Sequence, residues 1–108
     1  MPTFETTEHE KILHELADKP NVKPPAMYEV FLLNDDFTPM DFVEDILVKY
    51  FSKNNEQAEV ITMQVHNQGR GLCGIYPKDI AESKALQVES HSRQHHHPLQ
   101  CIAEKSDS

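Results

Sequence analysis

At 108 residues the chain has room for one domain around one modest core. A formal net charge of −8 excludes a surface built for nucleic acid, because affinity for phosphate backbones comes chiefly from Lys and Arg. No apolar stretch approaches the ~20 residues needed to cross a bilayer, and residues 1–20 lack a signal peptide's apolar centre, so the expectation is a cytoplasmic protein with no membrane partner.

Residues 1–26 are polar and acidic, with Pro20, Pro24 and Pro25 near their end, and read as a flexible arm. The domain is expected over 27–105, with 106–108 a polar tail. Met27-Tyr28-Glu29-Val30-Phe31-Leu32-Leu33 is rich in β-formers and runs into the turn-prone Asn34-Asp35-Asp36. Thr38 then reads as an N-cap with Pro39 at the first helical position, and Met40, Val43, Leu47 and Tyr50 recur at helical spacing towards Phe51. Asn54 and Gln57 form a capping pair for a second helix, in which Ala58, Ile61 and Val65 share a face until Gly69 offers a left-handed stop. Leu72-Cys73-Gly74-Ile75-Tyr76 suits a strand between Gly71 and Pro77. Ile80, Ala81, Lys84, Ala85 and Val88 suggest a third helix fading near Ser90 to Arg93, and Leu99 to Ala103 a last strand. The order β-α-α-β-α-β predicts an α+β domain, three antiparallel strands packed with three helices.

Several groups invite a chemical reading. The Asn34-Asp35-Asp36 turn concentrates acceptors, yet it lacks the Gly and Glu spacing of a calcium loop, and composition alone favours a turn bonding its own backbone. His66 lies near the end of the second helix, where it serves either the helix terminus or a site. Cys73 sits in an apolar strand with no basic neighbour, which argues against a thiol nucleophile and, like Cys101, for a buried free cysteine. His91 and His95 share one helical face, but His95-His96-His97 point different ways and no further ligand completes a zinc spacing; no metal or other cofactor is expected.

Taken together, Lys23-Pro24-Pro25-Ala26-Met27-Tyr28, Leu33 to Val43, Val65-His66-Asn67-Gln68-Gly69, Cys73-Gly74 and His97-Pro98-Leu99 resemble the ClpS family of Clp protease adaptors over about Lys23 to Lys105. The resemblance implies a fold similar to the C-terminal domain of the ribosomal stalk protein. It also implies a non-catalytic adaptor that binds N-degrons, proteins whose first residue is Leu, Phe, Tyr or Trp. Residues matching Asn34, Asp35 and His66 would hold the free α-amino group, and those matching Thr38, Pro39, Met40, Val43, Ile46, Thr62, Val65 and Leu99 the first side chain. Asp79 and Lys84 would face the N-terminal domain of a ClpA-like AAA+ unfoldase, although both also read as solvated surface charges. The arm would take part in delivery, and the free adaptor is expected to be a monomer. The competing reading is a plain protein-protein interaction domain resembling a ribosomal stalk module.

One position departs from the family pattern. Where that pattern has a Met lining the pocket, this chain has Thr62, with Met63 turned about 100° around the helix. A shorter wall is expected to relax discrimination against Ile and Val.

Overall fold

The computed structural model describes residues 25–106. Its elements are β1 (Met27–Leu33), α1 (Met40–Phe51), α2 (Asn55–Gln68), β2 (Arg70–Pro77), α3 (Lys78–Gln94) and β3 (Gln100–Lys105), the order expected from the sequence. β1 is the central strand of an antiparallel sheet ordered β2-β1-β3. The arm expected over 1–26 falls almost wholly outside the described residues, as do 107 and 108 of the tail.

The pleat of β1 sorts its side chains. Val30 and Leu32 are wholly buried and join Val43, Ile46, Leu47 and Phe51 of α1, Ala58 and Val65 of α2, Cys73, Ala81 and Val88 of α3, Leu99 and Cys101 in one core cluster. All three helices therefore cover the same face of the sheet. Phe31 points the other way and is sheltered by the Arg70 guanidinium, 4.2 Å from the ring centroid, which in turn pairs with Glu104 at 3.2 Å across the sheet.

The β1–β2 ladder shifts between Val30 and Phe31: Val30 faces Gly74 and Phe31 faces Leu72, which leaves Cys73 as the extra residue of a bulge. Two residues before it, Gly71 passes close under α2. A Cβ there would lie 2.8 Å from Val65 Cγ2 and 3.0 Å from the Ile61 carbonyl, so the absence of a side chain is what lets the helix approach the strand.

Local signals account for most helix ends. The capping box of α2 is formed in full, with the Gln57 amide donating to Asn54 Oδ1 at 2.8 Å and the Asn54 amide to Gln57 Oε1 at 3.1 Å. Gly69 closes the helix at φ 88°. The start of α1 differs from expectation: Pro39 is the N-cap, with no side-chain cap bond, because the Thr38 hydroxyl donates instead to Asp35 Oδ2 at 2.7 Å. Met40 accordingly opens the helix and stays 41% exposed rather than joining the core face. β2 extends through both Gly71 and Pro77, α3 starts at Lys78 and persists to Gln94, and β3 begins one residue later than the apolar run suggested.

Candidate functional site

Three segments meet at one end of the helical layer: the loop after β1, the first turn of α1 and the last turns of α2. Their approach is fixed by the backbone. The Asn34 amide donates to the Gly69 carbonyl at 2.9 Å, and the Gly69 amide to Val65 at 3.0 Å, so the β1 loop is tied to the turn that ends α2. A cleft of about 260 Å³ opens between them, lined by Asn34, Asp35, Asp36, Thr38, Met40, Val43, Thr62, Val65 and His66. Its size, below the ~300–1,000 Å³ of drug-sized sites, suits a single side chain.

The Asp35 carboxylate is held rigidly in the mouth. Its Oδ1 accepts from the amides of Phe37 at 2.8 Å and Thr38 at 2.7 Å, while Oδ2 accepts from the Thr38 hydroxyl. Partial burial pushes its pKa up, but the bond from the Thr38 side chain, the two amides and the positive field of His97 outweigh that, and the carboxyl titrates below its ordinary value. His66 stands exposed in the last turn of α2, where the C-terminal end of the helix dipole adds negative potential. The mouth thus combines the Asp35 and Asp36 carboxylates, an amide, an imidazole and a negative helix end, and no Lys or Arg lines it. That arrangement favours a small cation with several donors. Behind it the walls turn apolar, with Val43 and Val65 nearly buried and Met40 forming the outer lip.

Of the residues singled out in the sequence, Asn34, Asp35, Thr38, Met40, Val43, Thr62, Val65 and His66 all line this cleft. Ile46 and Leu99 are each 1% exposed and stand in the core cluster, while Pro39 is exposed and caps α1. Asp36 lines the cleft although the sequence assigned it only to the turn; its place beside Asp35 in the same acidic run was the available signal. Asp79 and Lys84 lie elsewhere. Asp79 is exposed in the first turn of α3, whereas Lys84 is half-buried, its Nζ donating to the Tyr50 carbonyl at 2.7 Å and standing 5.1 Å from the centre of the Tyr76 ring. The ammonium thereby satisfies a carbonyl near the end of α1.

Other chemistry finds no support. Burial pushes the Cys73 thiol up to about 12, against the lowering influence of a Leu32 backbone bond and the Lys53 charge, so a thiolate nucleophile is disfavoured. His91 and His95 rings stand 4.7 Å apart and surround Phe42 together with His97, an aromatic cluster. Among the described residues no group of three His, Cys, Asp or Glu side chains is placed to hold a metal ion.

The family model for the ATP-dependent Clp protease adaptor protein ClpS matches residues 23–102. The ATP-dependent Clp protease adapter protein ClpS of Nitrosospira multiformis is 54% identical over 90 residues, 83% of this chain and 88% of the relative. That of Xanthomonas oryzae pv. oryzae is 49% identical over 106 residues, 98% of this chain and the full length of the relative. Among solved structures, Agrobacterium tumefaciens ClpS2 bound to L-phenylalaninamide superposes with a TM-score of 0.75 at 31% identity, covering 77% of this chain and all of that one.

Proposed function

The chain belongs to the ClpS family of ATP-dependent Clp protease adaptor proteins, a non-catalytic family, and from that premise we propose that its cleft binds the first residue of proteins destined for degradation. The observation that carries this reading is the joining of a cation-favouring mouth to an apolar recess of side-chain size. A free α-ammonium offers three donors and a charge; Asn34, Asp35 and His66 supply acceptors and the compensating anion. An internal peptide bond lacks that charge and would leave the acceptors unpaired, so chain ends are selected. Leu, Phe, Tyr or Trp then fills the recess between Met40, Val43, Thr62 and Val65. L-phenylalaninamide, held by the Agrobacterium relative, has the same two features: a free α-amino group beside an apolar side chain.

The cargo goes to the N-terminal domain of a ClpA-like AAA+ unfoldase, and the adaptor is a monomer when free. Asp79 and its neighbours on the exposed start of α3 are the surface offered to the unfoldase, with Lys84 contributing through its hold on the end of α1. The acidic segment before the domain takes part in delivery.

Fluorescence anisotropy with labelled peptides tests the central claim. Peptides starting with Leu, Phe, Tyr or Trp bind, and acetylation of the α-amine abolishes binding. Ile and Val peptides belong in the same panel: they bind measurably because Thr62 is short, and Thr62→Met weakens them while sparing Leu and Phe. Equal affinity for free and acetylated peptides would favour the plain interaction domain instead.

A further inference from the structure

We infer that Thr62 gives the recess a preference for a hydroxylated aromatic first residue, tyrosine over phenylalanine. The inference rests on the cleft being the seat of a substrate's first residue, and it deepens that reading by naming which side chain the cleft suits. Thr62 lines the cleft, is only 2% exposed, and its Oγ1 is the one buried side-chain oxygen or nitrogen among the described residues with no hydrogen-bond partner. Buried hydroxyls are nearly always satisfied, and one that is not marks a place where a partner has yet to arrive.

The surroundings narrow what that partner is. The polar groups of the β1 loop and the end of α2, namely Asn34, Asp35, Asp36, Thr38 and His66, gather at the mouth where the ammonium rests, and the inner walls are Val43 and Val65, with Met40 at the outer lip. A phenol carried into the recess leaves its water behind and, between Val43 and Val65, meets the unpaired Thr62 hydroxyl, whereas the Thr38 hydroxyl already donates to Asp35, and Asp36 is exposed in the β1 loop. The phenol and the Thr62 hydroxyl both donate and accept, so either can supply the proton. Thr62 and His66 lie four positions apart on one face of α2, about 6 Å along its axis, so a side chain whose ammonium rests at His66 runs past Thr62. Threonine in a helix divides between two χ1 wells, normally held by a bond to a carbonyl in the preceding turn. Thr62 lacks that bond, so exchanging its methyl and hydroxyl on the cleft side breaks no hydrogen bond. Phenylalanine in the same place seals the hydroxyl in unpaired.

Competition anisotropy with two peptides identical except for Tyr or Phe at the first position, each with an acetylated control, is run on the full chain and on Thr62→Val and Thr62→Ser. Valine replaces the hydroxyl by a methyl group at nearly constant shape. The expected result is that the ratio of Phe to Tyr dissociation constants drops about three- to tenfold in Thr62→Val and is retained in Thr62→Ser. The thermal midpoint of Thr62→Val is expected to hold or rise, since an unpaired buried group has been removed. An unmoved ratio with both peptides still bound overturns the inference, and so does a lowered midpoint, which would mean the hydroxyl already has a partner within the fold. Failure of both free peptides to bind the unmodified chain would instead remove the first-residue reading, and this one with it.

Discussion

The carboxylate of Asp35 has about four acceptor positions, and the amides of Phe37 and Thr38 and the Thr38 hydroxyl take three of them. One position on Oδ2 remains for a ligand, so the turn-forming and ligand-holding readings of this residue are both satisfied by the same geometry. Replacement by Ala would collapse the loop as well as the site; Asp35→Asn keeps one oxygen for the two amides but replaces the ligand's acceptor, Oδ2, by a donating NH2 and removes the charge. Asp35→Asn is therefore expected to weaken Phe-peptide binding about 10- to 100-fold, the worth of a charge-assisted hydrogen bond, with little change in thermal midpoint. Because the carboxyl's folded pKa lies below its unfolded value of about 3.9, its contribution to stability is complete above that value and is lost as pH falls through the folded pKa. Asp35 thus keeps its charge in mild acid. The sequence exposed these residues because acceptors cluster visibly in Asn34-Asp35-Asp36; it could not reveal that Thr38 spends its hydroxyl on Asp35, since that depends on how sharply the loop turns.

The elements were legible where a local signal acts alone. Asn54 and Gln57 cap α2 as their spacing requires, and Gly69 ends it, because both devices involve only neighbours in the chain. They failed where tertiary contact decides: β2 runs through Gly71, read from the sequence as a boundary, because that glycine is needed beneath α2. Ile46 and Leu99, expected as recess walls, stand in the core cluster, each 1% exposed, and a wall residue is also a core residue. Two substitutions at opposite ends of α2 separate stability from binding. Asn54→Ala removes the capping box about 20 Å from His66, so a loss of about 1 kcal/mol in stability is expected with peptide affinity intact. Gly71→Ala instead drives a methyl against Val65 and the unyielding Ile61 carbonyl, moving a cleft wall, and should cost about 1–3 kcal/mol together with affinity. Affinity falling in Asn54→Ala, or holding in Gly71→Ala at the same loss of stability, would contradict this division of α2.

At the scale of the whole molecule, the two cysteines report on how the core opens. Cys73 on β2 and Cys101 on β3 flank the central strand, so two strand spacings of about 4.8 Å separate their backbones, beyond the reach of a disulfide. Both thiols are buried in the cluster that holds the helices to the sheet, and burial pushes both pKa values up, that of Cys101 further raised by Cys73 and Glu89. Cys73 is 1% exposed, and Cys101, at the base of a groove between α3 and β3, only 3%, so neither meets a reagent readily in the folded chain. With a thiol-reactive dye at pH 8, the native chain is therefore expected to label slowly, with both sites reacting together and accelerating along the denaturant unfolding curve. A rapid burst of one equivalent would show that β2 or β3 opens alone. The same measurement ties the cleft to the fold. A ligand that binds only the folded state lowers the open population by a factor of about 1 + [L]/Kd, so a free Phe-initiated peptide at roughly 100 times its Kd should slow labelling roughly a hundredfold. Its acetylated form, lacking the ammonium that Asp35 compensates, should leave the rate unchanged. Slowing by both forms would mean that the peptide body, not its first amine, is what the folded chain holds.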